Sequence, residues 1–239
     1  MNYLLIALVA LMGSFTQAVT GFGYAIICMA LWPLILPLRV ASVLEVMTAF
    51  VMVIYISLKL RQHINFRLMI WPMLSYSVAS AVGVFTLLSG TETVIRRILG
   101  VILVLLSIYF RCFSNKVRIK PTRRNGLLAG LVSGFLSGLF NIGGPPMVVY
   151  FLSVTEDKME YNATLQCYFT FTTIYVFLLH LFMGNVNVEV LQYSVAGLAG
   201  LAVGTGTGLC LLRRLSMEAT KKFVYGFMIL AGIYLVIAG

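Results

Sequence analysis

Between Ser137 and Val149 the chain reads SGLFNIGGPPMVV, a cluster of helix-breaking residues in the middle of an apolar segment spanning about 126–154. Such a segment cannot form one regular helix. Gly143 and Gly144 allow backbone angles that side chains forbid, and Pro145 and Pro146 lack the amide that a helix interior needs. A weaker copy, QAVTGFGYA, occupies Gln17 to Ala25. Two matching breaks in two halves of an apolar chain point to a transport site built from discontinuous helices.

Composition sets the solvent. The chain is 61% apolar and 10% charged, where a soluble domain carries about 25% charged residues. An all-α integral membrane protein is expected, embedded in a lipid bilayer. The net charge of +10 fits a cytoplasmic bias of Lys and Arg, and no nucleic acid partner is expected. The first basic residue is Arg39, so the start lacks the positive region of a signal peptide. Cys28, Cys112, Cys167 and Cys210 have no metal-ligand spacing. There is no nucleotide-binding loop or zinc helix motif. No nucleophile, base or metal set gathers in one expected cavity, so neither an enzyme nor a cofactor is expected.

Apolar segments run over about 3–36, 40–58, 66–89, 94–112, 126–154, 162–183, 190–212 and 223–238. Six suit a single crossing of about 20 residues. The first and fifth are longer, and each is cut by a Gly-rich motif. Each is therefore one broken span or a re-entrant hairpin. The halves also repeat. At an offset near 120, Gly21-Phe22-Gly23-Tyr24 falls on Asn141-Ile142-Gly143-Gly144, and Ala10, Ser14 and Ala18 fall on Gly130, Gly134 and Gly138. Small residues four apart let membrane helices approach closely. These rows are expected to set the first arm of each broken segment against the third crossing of its own half, and they are compatible with a homodimer.

Charge chooses between span and hairpin. If both long segments cross, Lys and Arg divide almost evenly between the two sides. If both are hairpins, only Arg39, Arg96 and Arg97 fall on one face and the rest of the 17 basic residues fall on the other. That asymmetry is a strong positive-inside signal. The expected fold is two inverted repeats, each a Gly-broken re-entrant hairpin plus three transmembrane helices. The first repeat covers 1–113 and the second 126–239, joined by a basic cytoplasmic linker, 114–125. Both termini lie outside.

The two tips then enter from opposite faces and meet near the midplane. Each offers a helix N-terminus with free amides and about half a positive charge. That is an anion site without Lys or Arg. Candidate anion-binding residues are Gln17, Thr20, Gly21, Phe22 and Gly23 at the first tip, and Ser137, Asn141, Ile142, Gly143, Gly144 and Pro145 at the second. Gln166 approaches across the cavity. For Gln17, Thr20, Ser137 and Asn141 the competing role is local hydrogen bonding at the break. Six acidic residues lie in loops or at span ends; only Glu45 is inside a span. An intramembrane carboxylate is a functional candidate, here to carry a coupling proton, against a structural bond to a neighbouring helix. A sodium ion is the other coupling candidate. His63 and His180 are expected at the interface, with Trp32 and Trp71 as interfacial anchors or packing.

The stretches TQAVTGFGYAIICMALWPLI and GFLSGLFNIGGPPMVVYFL resemble the paired signatures of the TauE/SafE family of sulfite exporters, over essentially the whole chain. The resemblance implies a permease of the bacterial inner membrane that moves sulfite, organosulfonates or related small anions without ATP. It marks Gly21, Gly23, Gly143, Gly144 and Pro145. It departs at Asn141, where the family has Gly, which adds a side-chain donor. Alternatives are an anion channel on the same fold, or a transporter of another small anion such as a carboxylate. Reporter fusions should place both chain ends outside and residues 114–125 in the cytosol; a cytosolic signal from either end would overturn the topology.

Overall fold

The computed structural model describes residues 2–20, 22–112, 119–155, 157–211 and 217–238. Among them are ten α-helices, two single turns of 3-10 helix and no strand. The helices are α1 (Asn2–Thr20), α2 (Tyr24–Leu31), α3 (Leu38–Lys59), α4 (Phe66–Ser89), α5 (Glu92–Cys112), α6 (Arg123–Phe140), α7 (Gly144–Val154), α8 (Lys158–Phe182), α9 (Val188–Leu211) and α10 (Met217–Ala238). Each expected single crossing coincides with one helix, and each long segment is a pair, α1–α2 and α6–α7. Among the described residues, four helices are long and apolar enough to cross a membrane: α3, α4, most of α8, and α9 from Val188 to Gly208.

One face of α4 shows why lipid is the right solvent. Leu74, Val78, Val82 and Phe85 recur at helical spacing and are all more than half exposed. Water would penalise that row; hydrocarbon does not. The opposite face, with Tyr76, Ala79, Ser80 and Gly83, is buried.

The chain divides into two compact units that do not follow the sequence halves. One contains Met1–Thr48, Gly90–Ser114 and Asn185–Gly239; the other contains Ala49–Ser89 and Asn115–Gly184. In the first unit α1 packs along α9, and α5 along α10. In the second α6 packs along α4, with α8 beside them.

These pairings correct one expectation. The glycine rows do create close contacts, but each first arm packs on a helix of the opposite half. A methyl at Gly134 would lie 2.5 Å from the Tyr76 carbonyl, and one at Gly130 or Gly138 would run into the backbone at Pro72 or Ser80. On the other pair, Gly200 and Gly204 lie against the Ala7 and Leu11 carbonyls, and a methyl at Gly208 would reach Ala18 Cβ at 2.8 Å. Small-residue rows occur on all four helices, so size complementarity alone admits either pairing. The glycines are thereby occupied within the chain.

A short polar clamp fixes the turn from α2 into α3. Arg96, on the second turn of α5, donates to the carbonyls of Pro33 and Leu36, the latter at 3.1 Å. It also pairs with Glu92 at 2.8 Å. Glu92 in turn accepts from the Leu38 amide at 3.1 Å. One cation thus satisfies carbonyls that the end of a helix leaves open, and one carboxylate caps the start of the next. In the second unit Arg123, at the start of α6, lies over the Trp71 ring at 5.0 Å.

Gly130→Leu should wedge α6 off α4 and cost about 3 kcal/mol or more, read as a lower melting temperature in detergent. Gly206→Ala, whose added methyl meets nothing within 4 Å, should be neutral to slightly stabilising, by about 0.5 kcal/mol. Equal melting temperatures for the two variants would contradict the packing.

Candidate functional site

At the first break, Gly23 has φ of 120°, a backbone region that glycine enters without penalty. This bend ends the path of α1 and starts α2 in a new direction. Gly13 then lies close to α2: a methyl there would be 3.0 Å from the Tyr24 ring and 3.2 Å from Cys28 Sγ. A continuous helix would hold residues 13 and 28 about 22 Å apart, so α2 doubles back along α1. Gln17 is buried, and its Oε1 accepts from the Tyr24 amide at 3.0 Å. It therefore satisfies the first amide of α2, which is the local role. The Tyr24 hydroxyl donates to Thr48 Oγ1 at 2.6 Å, tying α2 to α3.

Phe22 is partly exposed. Gly21 and the Thr20 side chain lie outside the described residues. Glu45 is buried, on α3 of this same unit. Trp32 is fully buried and packs edge-on to Tyr24, so it is a core residue rather than an interfacial anchor.

At the second break, Asn141 ends α6 in the left-handed region, with φ of 57°, and its amide donates to the Ser137 carbonyl at 2.8 Å. Glycine and asparagine are the residues that enter this region most readily. The asparagine at the position where the family resemblance has glycine thus serves the backbone bend. Gly126 comes within reach of Tyr150: a methyl there would be 3.1 Å from the Tyr150 hydroxyl. A continuous helix would separate residues 126 and 150 by about 36 Å, so α7 doubles back along α6.

Gly143 is the N-cap of α7 and brings no capping side chain. Pro145 and Pro146 have no N–H, so Gly144 and Met147 carry the only amides among the first four positions of α7. The two glycines differ in their surroundings. A methyl on Gly143 would lie 2.6 Å from the Ser133 carbonyl and 2.8 Å from Ser137 Cβ, whereas one on Gly144 would meet only Phe169, at 3.4 Å. Gly143 is therefore a close-packing position, whereas Gly144 has room for a methyl among the described residues. A bulky residue at Gly143 would run into the backbone of α6.

A set of hydroxyls surrounds this break. Ser137 Oγ accepts from the Tyr76 hydroxyl at 2.6 Å. Ser133 Oγ donates to the Gly143 carbonyl at 2.6 Å and accepts from Tyr168 at 3.3 Å. The Tyr76 and Tyr168 rings meet edge-to-face with centroids 5.7 Å apart. Ile142, Pro145 and Gln166 are buried around the same bend and on α8. Ser133, Tyr76 and Tyr168 escaped the sequence reading. The available signal was a polar group on a helix otherwise built for hydrocarbon, since such groups find partners across helices. His180, expected at the interface, is fully buried near the end of α8, while His63 is exposed.

Among the described residues no Lys or Arg lies on α1, α2 or α7, and no group of three metal-ligating side chains occurs. What each break presents is an uncharged, amide-bearing helix start.

Comparison with known proteins identifies the family. Residues 5–235 match the family described as sulfite exporter TauE/SafE. The chain is 26% identical over 238 residues to a protein of Cupriavidus necator described as "Probable sulfite/organosulfonate exporter TauE", covering 94% of this chain and 91% of that protein. No solved structure matches. With the match running almost from end to end and spanning both broken helix pairs, the chain belongs to the TauE/SafE family of multi-pass membrane proteins.

Proposed function

We propose that this protein is a secondary transporter that moves small sulfur-containing anions, sulfite or organosulfonates, across the bacterial inner membrane. The anion is held near mid-membrane by the amides of two opposed half-helix N-termini, and access alternates between the two sides. The observation that carries the reading is the start of α7: a helix N-terminus whose N-cap glycine brings no side chain, with room for a methyl at Gly144, at a bend in a chain of an exporter family. Partial positive charge at a helix start favours an anion, and in a low-dielectric site it does so without a lysine or arginine. The substrate class comes from the name of the Cupriavidus relative. The opposed, re-entrant arrangement of the two pairs and the outward placement of both termini rest on the sequence repeat and the charge asymmetry.

Purified protein in proteoliposomes should carry sulfite or a sulfonate in preference to sulfate and carboxylates. Gly144→Ala, for which there is room, should reduce that flux at least about tenfold while folding normally, since a methyl beside a bound anion displaces it or its hydrogen bonds. Gly143→Ala should instead lower the yield of folded protein. Sulfite flux in Gly144→Ala equal to that of the parent would reject the site; channel-scale currents would reject alternating access.

Glu45 is the proposed carrier of a coupling proton, as a buried carboxylate on a membrane helix. Glu45→Gln should flatten the pH dependence of flux. An unchanged pH profile would leave sodium or an uncoupled mechanism.

A further inference from the structure

We infer that Ser133 is a positioning residue for transport and that Tyr168 acts behind it. The inference rests on the reading of the α7 start as the anion-binding end. The described peptide bonds are all trans, and in a trans peptide the carbonyl and the following amide point in opposite directions. Ser133 Oγ grips the Gly143 carbonyl at 2.6 Å. With the Gly143 carbonyl held towards Ser133 on α6, the Gly144 N–H across that trans peptide points away from Ser133. Pro145 and Pro146 contribute no amide and the Met147 amide faces the Gly143 carbonyl to close the first helical turn, so the Gly144 N–H is the single amide that the first three positions of α7 can offer. Its direction therefore matters more than that of one amide in an ordinary helix start.

The same bond polarises the peptide. A carbonyl that accepts a hydrogen bond makes the amide on the other side of its peptide a better donor, and a chain of such bonds reinforces itself. The Tyr168 hydroxyl donates to Ser133 Oγ at 3.3 Å, which leaves the serine proton for Gly143. Both side chains are fully buried or nearly so, so water does not compete. Tyr168 stands on α8 and its ring packs on Tyr76 and Phe151, giving the relay a fixed base.

Sulfite flux in proteoliposomes, resolved into apparent KM and maximal rate, tests this. Ser133→Ala should raise the KM about tenfold, the loss expected from misaiming one good hydrogen bond, with maximal rate within about twofold. Ser133→Cys, with its weaker donor, should fall between. Tyr168→Phe keeps the packed ring and should raise the KM about threefold; it decides the matter alone if Ser133→Ala does not accumulate. A parental KM in these variants, or a loss confined to maximal rate and yield, would overturn the inference. Parental kinetics in Gly144→Ala would instead overturn the underlying site, so the two failures are distinct.

Discussion

A backbone amide or carbonyl that leaves its helix inside hydrocarbon has no water to turn to, and that single constraint organises this structure. Two apolar segments of this chain are each interrupted near their middle by a glycine-bearing break. Each interruption is met by side-chain or backbone groups from close by. Gln17 takes the first amide of α2, Asn141 returns its own amide to α6, and Ser133 takes the carbonyl of Gly143. The breaks are thus supported from within their own units.

The second organising force is close approach of backbones. Lipid offers little hydrophobic drive between helices, so association depends on packing and interhelical bonds. The rows at Gly130, Gly134 and Gly138 on α6 and at Gly200, Gly204 and Gly208 on α9 bring carbonyls of the facing helix to the positions that side chains would fill. Through these rows each broken pair is carried by one long helix, and its bend is held at a fixed height along that helix. Tyr76 combines the two roles: its backbone lies against Gly134 and its hydroxyl reaches Ser137 at the bend.

Much of this was visible in the residues alone. Helix breaks are written in Gly and Pro identity, and crossings in runs of apolar length; both kinds of signal are local. The positions of the ten helices and the two interruptions follow from them. Which helix each glycine row meets is a non-local question, and four rows of similar size leave it open. The polar residues at the bends were found, yet the bond shown for the Gln17 side chain is to nearby backbone, and Asn141 serves the bend through its left-handed backbone. The tyrosines were missed because their partners lie 35 and 61 residues away, and a tyrosine in an apolar helix looks like any other packing residue until its hydroxyl is located.

The exchange of arms between the halves has a consequence for biosynthesis. The backbone of Ala7 is matched to Gly200, whereas that of Tyr76 is matched to Gly134. At about 5–20 residues per second, the ribosome supplies the partner of α1 roughly 10–40 seconds after α1 itself, but completes the α4–α6 pair within about 3–12 seconds. The amino-terminal helix must therefore wait in the bilayer, its small-residue face unmatched, until most of the polypeptide has been made. The order of assembly runs from the middle of the chain outward, and the two ends are joined last.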